Sequence, residues 1–568
     1  MRLVIPVFRR VSVVSLVTLM ALAVVPAAKR TAMAQSGVQN LRDDFNGDGI
    51  FDLAVGSPFE DIGGVQDAGS VTVIFGSTSG LTMAATSTSP APQLLHQNVA
   101  NVNDSAETLD RFGAAVTSGN FDGDSFSDLA VGVPGENSTG AVQIFRGSNT
   151  GMLPAADGII DLSFAGLTPG SGDGFGSALI SGDFNSDTIG DLAIGVPNRA
   201  NSTGIVVILF GVANVGLTSV NAQVLRLGDI GGVADQFDRF GRVLAAGDFD
   251  KDGADDLVIG VPDDRFQGGA GVFVVNGSTT GLNTSRVTIF RGNGAGLNLT
   301  AFGGNFFGGS SFGAALAVGD FNGDAAPDLA VGIPLRSIAD TSGLPPPSRE
   351  ETGSVEILFN NNASTANQRG LTTTGALLIQ QGRSGVSDTP EAHENFGASL
   401  AAGRFNDDSF TDLAIGVPKE TVGTSPQRGG AVYVVYGSNT GPSPTAGPGQ
   451  RLIHQETTGV PGTSEDLEGF GAALTARNFG NDTLLVPGPC QFCFHTAKLA
   501  DLVIGIPSES LNNASGTAQG EAGRMLVLYG LPSDGLVVDG LQDLNQNTSG
   551  MASEGGIEAG DRFGSALD

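Results

Sequence analysis

The stretch DFDKDGADDLVIGVP, Asp248 to Pro262, sets acidic side chains at alternate positions of a tight, glycine-bearing turn. An apolar run closed by Gly-x-Pro follows directly. Five further versions begin at Asp44, Asn120, Asp183, Asp320 and Arg404, and a broken one begins at Asn478. A Phe-Gly pair opens a short apolar strand at Phe112, Phe175, Phe240, Phe312, Phe396, Phe470 and Phe563. Nine residues after that Phe comes a second one inside the turn: Phe121, Phe184, Phe249, Phe321, Phe405 and Phe479. Seven residues further on comes the Asp of Asp-Leu, except that the seventh copy stretches the interval to 22, from Phe479 to Asp501.

Beyond Gly-x-Pro come a variable loop, a Gly with a third strand such as GAVQIF (Gly140 to Phe145), and a weaker fourth strand such as QLLHQ (Gln93 to Gln97) or RLIHQ (Arg451 to Gln455). Four short strands per unit, recurring at 63 to 93 residues, predict an all-β, seven-bladed propeller of four-stranded blades. Length variation is confined to loops, where it costs little. The first turn has no opener before it and the last opener, DRFGSALD (561–568), has no turn after it. The two ends therefore combine into one unit, and the C-terminal strand is expected to complete the N-terminal blade and close the ring.

Composition agrees. The 568 residues hold 86 Gly, no Trp and two Cys, and carry a formal net charge of −31. That charge excludes a general affinity for nucleic acid or anionic membrane surfaces. Residues 1–34 read as a secretory signal, with Arg2, Arg9 and Arg10 before the apolar run Val11 to Val25 and a cleavage site at Ala32-Met33-Ala34. The remaining 35–568 form a single propeller domain. No later run is apolar enough to span a bilayer, so a secreted or cell-surface protein is expected.

The Phe-Gly opener and the GSP, GVP and GIP closers make the chain resemble the FG-GAP repeats that form the seven-bladed propeller of integrin α subunits. Similar repeats occur in secreted bacterial proteins and attached to a phospholipase. The resemblance covers nearly all of residues 41–568.

Positions 1, 3, 5 and 9 of the turn carry oxygen side chains, and a backbone carbonyl at position 7 adds a fifth donor. Hard oxygen donors in this number suit Ca²⁺ better than Mg²⁺. The sets are Asp44, Asn46, Asp48, Ile50 and Asp52; Asn120, Asp122, Asp124, Phe126 and Asp128; Asp183, Asn185, Asp187, Ile189 and Asp191; Asp248, Asp250, Asp252, Ala254 and Asp256; and Asp320, Asn322, Asp324, Ala326 and Asp328. This resembles the calcium hairpins of integrin propellers. Five ions are expected. The turns at 404–412, where Arg404 takes position 1, and at 478–501 are expected to stay empty. Glycine stands at position 6 only in the first and fourth copies, as Gly49 and Gly253, so the bend is less assured elsewhere. The competing account of any one turn is an Asx-rich turn held by its own hydrogen bonds.

Two residues before the opener Phe stands an acid in six units: Asp110, Asp173, Asp238, Glu394, Glu468 and Asp561, with Ser310 in the fifth. These read either as a carboxylate ring at the channel mouth, which would attract cations, or as acids that cap a turn at the strand entrance. Cys490 and Cys493, in the seventh-blade insertion, read as a small local disulfide. His96 and His454 occupy repeat-derived positions, and no nucleophile motif occurs. The expected function is calcium-stabilised binding or adhesion by a monomer, directed at an extracellular protein or glycan through the variable loop face. The alternative is a secreted hydrolase or lyase with its site at the acidic channel mouth.

Overall fold

A computed structural model describes residues 43–568 except 103, 155–157, 265–269, 293–310, 338–350, 364–368, 383–384, 423–427, 481–484, 488–493, 497–498, 513–515 and 552–556. The segment 1–34 and the pair Cys490 and Cys493 lie outside the described residues.

The fold is an all-β propeller of seven four-stranded antiparallel blades. Blade 2 is typical, with strands Ala115–Gly119, Asp128–Val133, Ala141–Phe145 and Ile159–Ile160. Its turn joins Gly119 to Asp128, which pair directly. Blades 3 to 7 open on Ala178–Gly182, Val243–Gly247, Ala315–Gly319, Ser399–Gly403 and Ala473–Arg477. In blade 1, Leu53–Ser57, Ser70–Ile74 and Gln93–Leu95 come from the N-terminal end. The fourth place in that sheet is taken by Ala566–Leu567, which pairs antiparallel through Val55↔Leu567 and Gly56↔Ala566.

The signature residues explain how blades adhere. Every opener Phe and every described turn Phe is buried between sheets. The third strand's leading Gly forms a parallel bridge to the next blade's opener Phe, as in Gly69↔Phe112, Gly140↔Phe175 and Gly523↔Phe563. The Gly of Gly-x-Pro meets the carbonyl of the next Phe-Gly glycine so closely that a Cβ would stand 1.9 to 2.3 Å from that oxygen. This holds at Gly56, Gly132, Gly195, Gly260, Gly332, Gly416 and Gly505. The FG and GxP motifs are thus two halves of one backbone-to-backbone junction. Only glycine allows so close an approach. Gly505 meets Gly564 of the C-terminal opener in the same way.

First strands of successive blades touch one another around the axis. Between them is a channel cavity of about 160 Å³, lined by Ile180 and by 244–246, 316–318, 400–402 and 474–477. The lining is aliphatic apart from Thr475 and Arg477. Blade 7 carries the insertion as an extra hairpin, Leu485–Pro487 against Phe494–Thr496.

Candidate functional site

Antiparallel strand order places the acidic turns at one end of the blades, and the strand 2–3 loops and openers at the other.

Four turns led by Asp share one geometry. The position-1 carboxylate accepts the N–H groups of positions 5 and 6: Asp48 and Gly49 on Asp44, Asp187 and Thr188 on Asp183, Asp252 and Gly253 on Asp248, and Asp324 and Ala325 on Asp320, at 2.9 to 3.1 Å. The position-5 carboxylate accepts the N–H of position 7, for example Ala254 on Asp252 at 3.0 Å. Position 6 is left-handed in all four, including Thr188 (φ 72) and Ala325 (φ 70). The missing glycine therefore does not prevent the bend; the Asp at position 1 holds it against the strain of a Cβ at positive φ.

The Asn120 turn departs from this pattern. Ser125, at position 6, is not left-handed, and Asn120 Nδ2 donates to the Asp124 carbonyl at 2.9 Å. Arg404 Nη2 donates to the equivalent Asp408 carbonyl. The second turn thus shares a position-1 contact with the sixth, which was expected to be empty.

The position-9 aspartate has a role not apparent from spacing. One oxygen of Asp256 accepts the Phe249 N–H at 3.0 Å and the other accepts Gly277 N–H at 2.9 Å, where strand 3 ends. Asp412 and Asp501 make the same two bonds, to Phe405 and Gly437 and to Phe479 and Gly530. The clip therefore survives in both turns expected to lack metal, across the insertion included. The repetition of this Asp beyond the complete ligand sets was the available signal.

In blade 4, Asp248, Asp250 and Asp252 each present an oxygen, all within 4.8 Å of one another. Burial raises the Asp248 carboxyl to about 6 and Asp128, Asp191 and Asp328 to about 8. Neighbouring carboxylates add to the shift. Such a cluster resists ionising unless a cation compensates, so its donor chemistry fits a hard divalent ion. Two turns already hold a guanidinium on position 3: Arg146 on Asp122 at 2.9 Å and Arg286 on Asp250 at 2.6 Å.

At the opposite end, the acids before the openers follow the turn-capping reading and not that of a carboxylate ring at the channel mouth. Asp110, Asp173, Asp238, Glu394, Glu468 and Asp561 are all buried. Each accepts the backbone N–H three residues earlier, at 2.6 to 2.8 Å, from Glu107, Gly170, Asp235, Glu391, Glu465 and Glu558. They cap turns and do not face solvent.

Several residues just before these acids are exposed, His393 (φ 70°) of blade 6 among them. Leu109, Phe237 and Leu467 are 48%, 62% and 48% exposed, and their φ angles are 70°, 71° and 66°. Blades 1 and 3 carry Gly560 and Gly172 at this place, as left-handed backbone favours. Bulky apolar side chains in this conformation are outliers, and nothing in the repeat pattern marked them.

Among known proteins, FG-GAP repeat models match residues 40–74, 112–145, 175–209, 240–275, 312–355 and 396–435. The chain is 34% identical over 164 residues to phosphatidylinositol-glycan-specific phospholipase D of Bos taurus, covering 27% of this chain and 19% of that protein. It is 33% identical over 221 residues to integrin alpha-7 of Rattus norvegicus, covering 38% and 17%. It is 31% identical over 232 residues to integrin alpha-5 of Xenopus laevis, covering 39% and 20%. The matched part of each relative is a fifth of its length or less.

Proposed function

We propose that this chain, a propeller of FG-GAP repeats of the kind found in integrin α subunits, is an extracellular binding module that holds a protein or glycan on its loop face. The observation that carries this reading is the set Leu109, Phe237 and Leu467. Three large apolar side chains stand in solvent at the same repeat position, each on left-handed backbone. Each such conformation costs on the order of 1–2 kcal/mol for an L residue with a Cβ. Gly560 and Gly172 are alternatives free of that strain in the same protein. Strain retained on exposed apolar groups points to a contact those groups make. The leader over residues 1–34 delivers the module outside the cell.

Calcium is proposed for the four Asp-led turns. Asp44, Asp183, Asp248 and Asp320 take position 1, and the side chains at positions 3, 5 and 9 and the position-7 carbonyl supply the remaining oxygens. The ion fixes the turn and takes no part in the loop-face contact. Arg286 beside Asp250 lowers affinity in blade 4 relative to blades 1, 3 and 5. The Asn120 turn is left out, since it has a neutral amide at position 1, lacks the bend of the other four, and already pairs Asp122 with Arg146 at 2.9 Å.

The hydrolase or lyase reading needed polar groups converging on the channel. The aliphatic lining favours binding instead. The test is a matrix-protein and glycan screen with the chain and its Leu109→Gly/Phe237→Gly/Leu467→Gly variant, each with calcium and with chelator. Binding that disappears in the variant while the melting temperature holds or rises supports the proposal. Binding that survives the triple change refutes it.

A further inference from the structure

The loop-face ends of the blades contain a second repeated cluster, separate from the acidic turns. Each capping acid of an opener faces the residue two places after Gly-x-Pro in the same blade. Both members are acids in blades 1, 2, 4, 6 and 7; in blades 1, 2 and 6 they are Asp561 with Glu60, Asp110 with Glu136, and Glu394 with Glu420. All six are at most 2% exposed. A glutamine from the preceding blade's outer strand joins each pair. Gln97 Nε2 donates to Glu136 Oε2 at 2.6 Å, Gln381 Nε2 to Glu420 Oε2 at 2.6 Å, and Gln546 Nε2 to Glu60.

The other blades balance the same place with arginine. Arg199 stands two places after Gly-x-Pro in blade 3 and contacts Asp173. In blade 4, Arg291 lies 3.5 Å from Asp264, the acid at that place. In blade 7, Arg524 reaches Glu509 at 2.9 Å. In blade 5, Arg336 holds the place itself. Blades 1, 2 and 6 keep two carboxylates, and among the described residues no basic side chain pairs with them.

Acceptor atoms in these three clusters remain unmatched, as Glu468 Oε2 and Gln455 Oε1 also do in blade 7 beside Arg524. Glu60 Oε1, Glu394 Oε1, Gln97 Oε1 and Gln381 Oε1 are buried without a hydrogen-bond partner. Gln97 and Gln381 are 2% and 1% exposed. Each amide nitrogen donates to its Glu, and the unmatched carbonyl oxygen is on that same amide. A buried oxygen without a donor costs on the order of 1–3 kcal/mol, and two buried like charges cost more. The donors that reach these acids are neutral, the glutamine amides, Asn137 Nδ2 on Glu136 at 2.6 Å and backbone N–H groups, where the sister blades supply a cation.

We infer that blades 1, 2 and 6 bind a hard metal cation, Ca²⁺ among those available outside cells, between each acid pair and the glutamine carbonyl. These sites weld neighbouring blades on the loop face. The two carboxylates and the amide oxygen supply the protein ligands, and water completes the shell that Ca²⁺ requires. Burial and the partner acid push Glu60 and Glu420 up to about 9, so the competing resolution of the same geometry is a proton shared within the pair.

Blade 6 offers a specific readout. The Tyr433 hydroxyl is 3.4 Å from Gln381 Nε2 and donates to Asp388 at 2.9 Å. Tyr436 follows the third strand of blade 6, whose turn is led by Arg404, but the Tyr529 hydroxyl accepts the Leu81 N–H of blade 1 at 3.2 Å, at the end that carries the Asp44 turn, so the titration uses a Tyr529→Phe background. Terbium(III), a calcium probe excited through nearby tyrosine, is titrated into the full chain. The expected result is sensitised emission that calcium suppresses and that Tyr433→Phe and Glu420→Gln each abolish. The count of bound calcium should fall by three in Glu60→Gln/Glu136→Gln/Glu420→Gln. Glutamine at these places removes a buried charge, so that variant should be at least as stable as the parent in chelator. An unchanged calcium count, or terbium emission indifferent to Tyr433, overturns the proposal. So does an infrared band of protonated carboxyl that Glu420→Gln removes and saturating calcium does not.

Discussion

Replacing Gly505 with alanine tests whether the C-terminal opener bears load as the internal junctions do. An ideal Cβ at Gly505 stands 2.3 Å from the Gly564 carbonyl oxygen, against 2.1 Å at the internal junction of Gly132 with Gly176. A carbon and an oxygen approach comfortably to about 3.3 Å, so the two backbones must separate by roughly 1 Å. Overpacking of that size costs about 1–3 kcal/mol. The separation also loosens the Phe563 N–H to Ala522 carbonyl bond, 3.1 Å long, worth about 1 kcal/mol. Gly505→Ala and Gly132→Ala should therefore each cost about 2–4 kcal/mol. Gly520→Ala, where a Cβ meets nothing within 4 Å, should cost almost nothing. Urea unfolding followed by far-ultraviolet circular dichroism measures all three. A Gly505→Ala midpoint matching the parent, beside a large loss for Gly132→Ala, would refute the reasoning. The last junction would then carry no load, and closure through residues 561–568 would fall with it.

Three other outcomes are expected. Asp412→Ala and Asp501→Ala should each cost about 2–4 kcal/mol in calcium or chelator alike, because each strands two backbone donors; a calcium-dependent loss would assign these residues to metal instead. Without calcium, stability should fall as pH rises from about 4 towards 8. Asp128, Asp191 and Asp328, pushed up to about 8, hold protons in the folded state that the unfolded chain has released. Saturating calcium should flatten the part of that slope owed to Asp191 and Asp328 by displacing their protons, and leave the part owed to Asp128; thermal melts at pH 5 and pH 8 decide it. Arg286→Ala should tighten calcium binding in blade 4 by freeing Asp250, read in isothermal titration as the weakest of the four turn sites moving towards the affinity of the other three.

Much of the fold was legible because a propeller repeats its constraints. Phe112 and Phe121 recur at fixed intervals since each must enter the same gap between sheets, and the variable loops lie where length costs little. The C-terminal opener could be matched to the N-terminal turn by counting parts. The turns were legible as oxygen clusters for the same reason. Their differences were not. Thr188 and Ala325 bend as Gly49 and Gly253 do because a carboxylate eight residues before each Asp-Leu aspartate accepts their N–H groups. Asn120 has a donor at that place and turns otherwise.

By itself, the sequence determined blade number, the four strands of each blade, the Phe-Gly and Gly-x-Pro motifs and the acidic turns, because each of these repeats at fixed spacing along the chain. The tertiary structure alone decided which side chains face water and which face one another across blades. It buried the acids at Asp110 and its equivalents and left Leu109, Phe237 and Leu467 in solvent. It also brought Gln381 of one blade against Glu420 of the next. Those pairings join residues tens of positions apart through the packing angle between sheets, which no spacing along a single chain encodes.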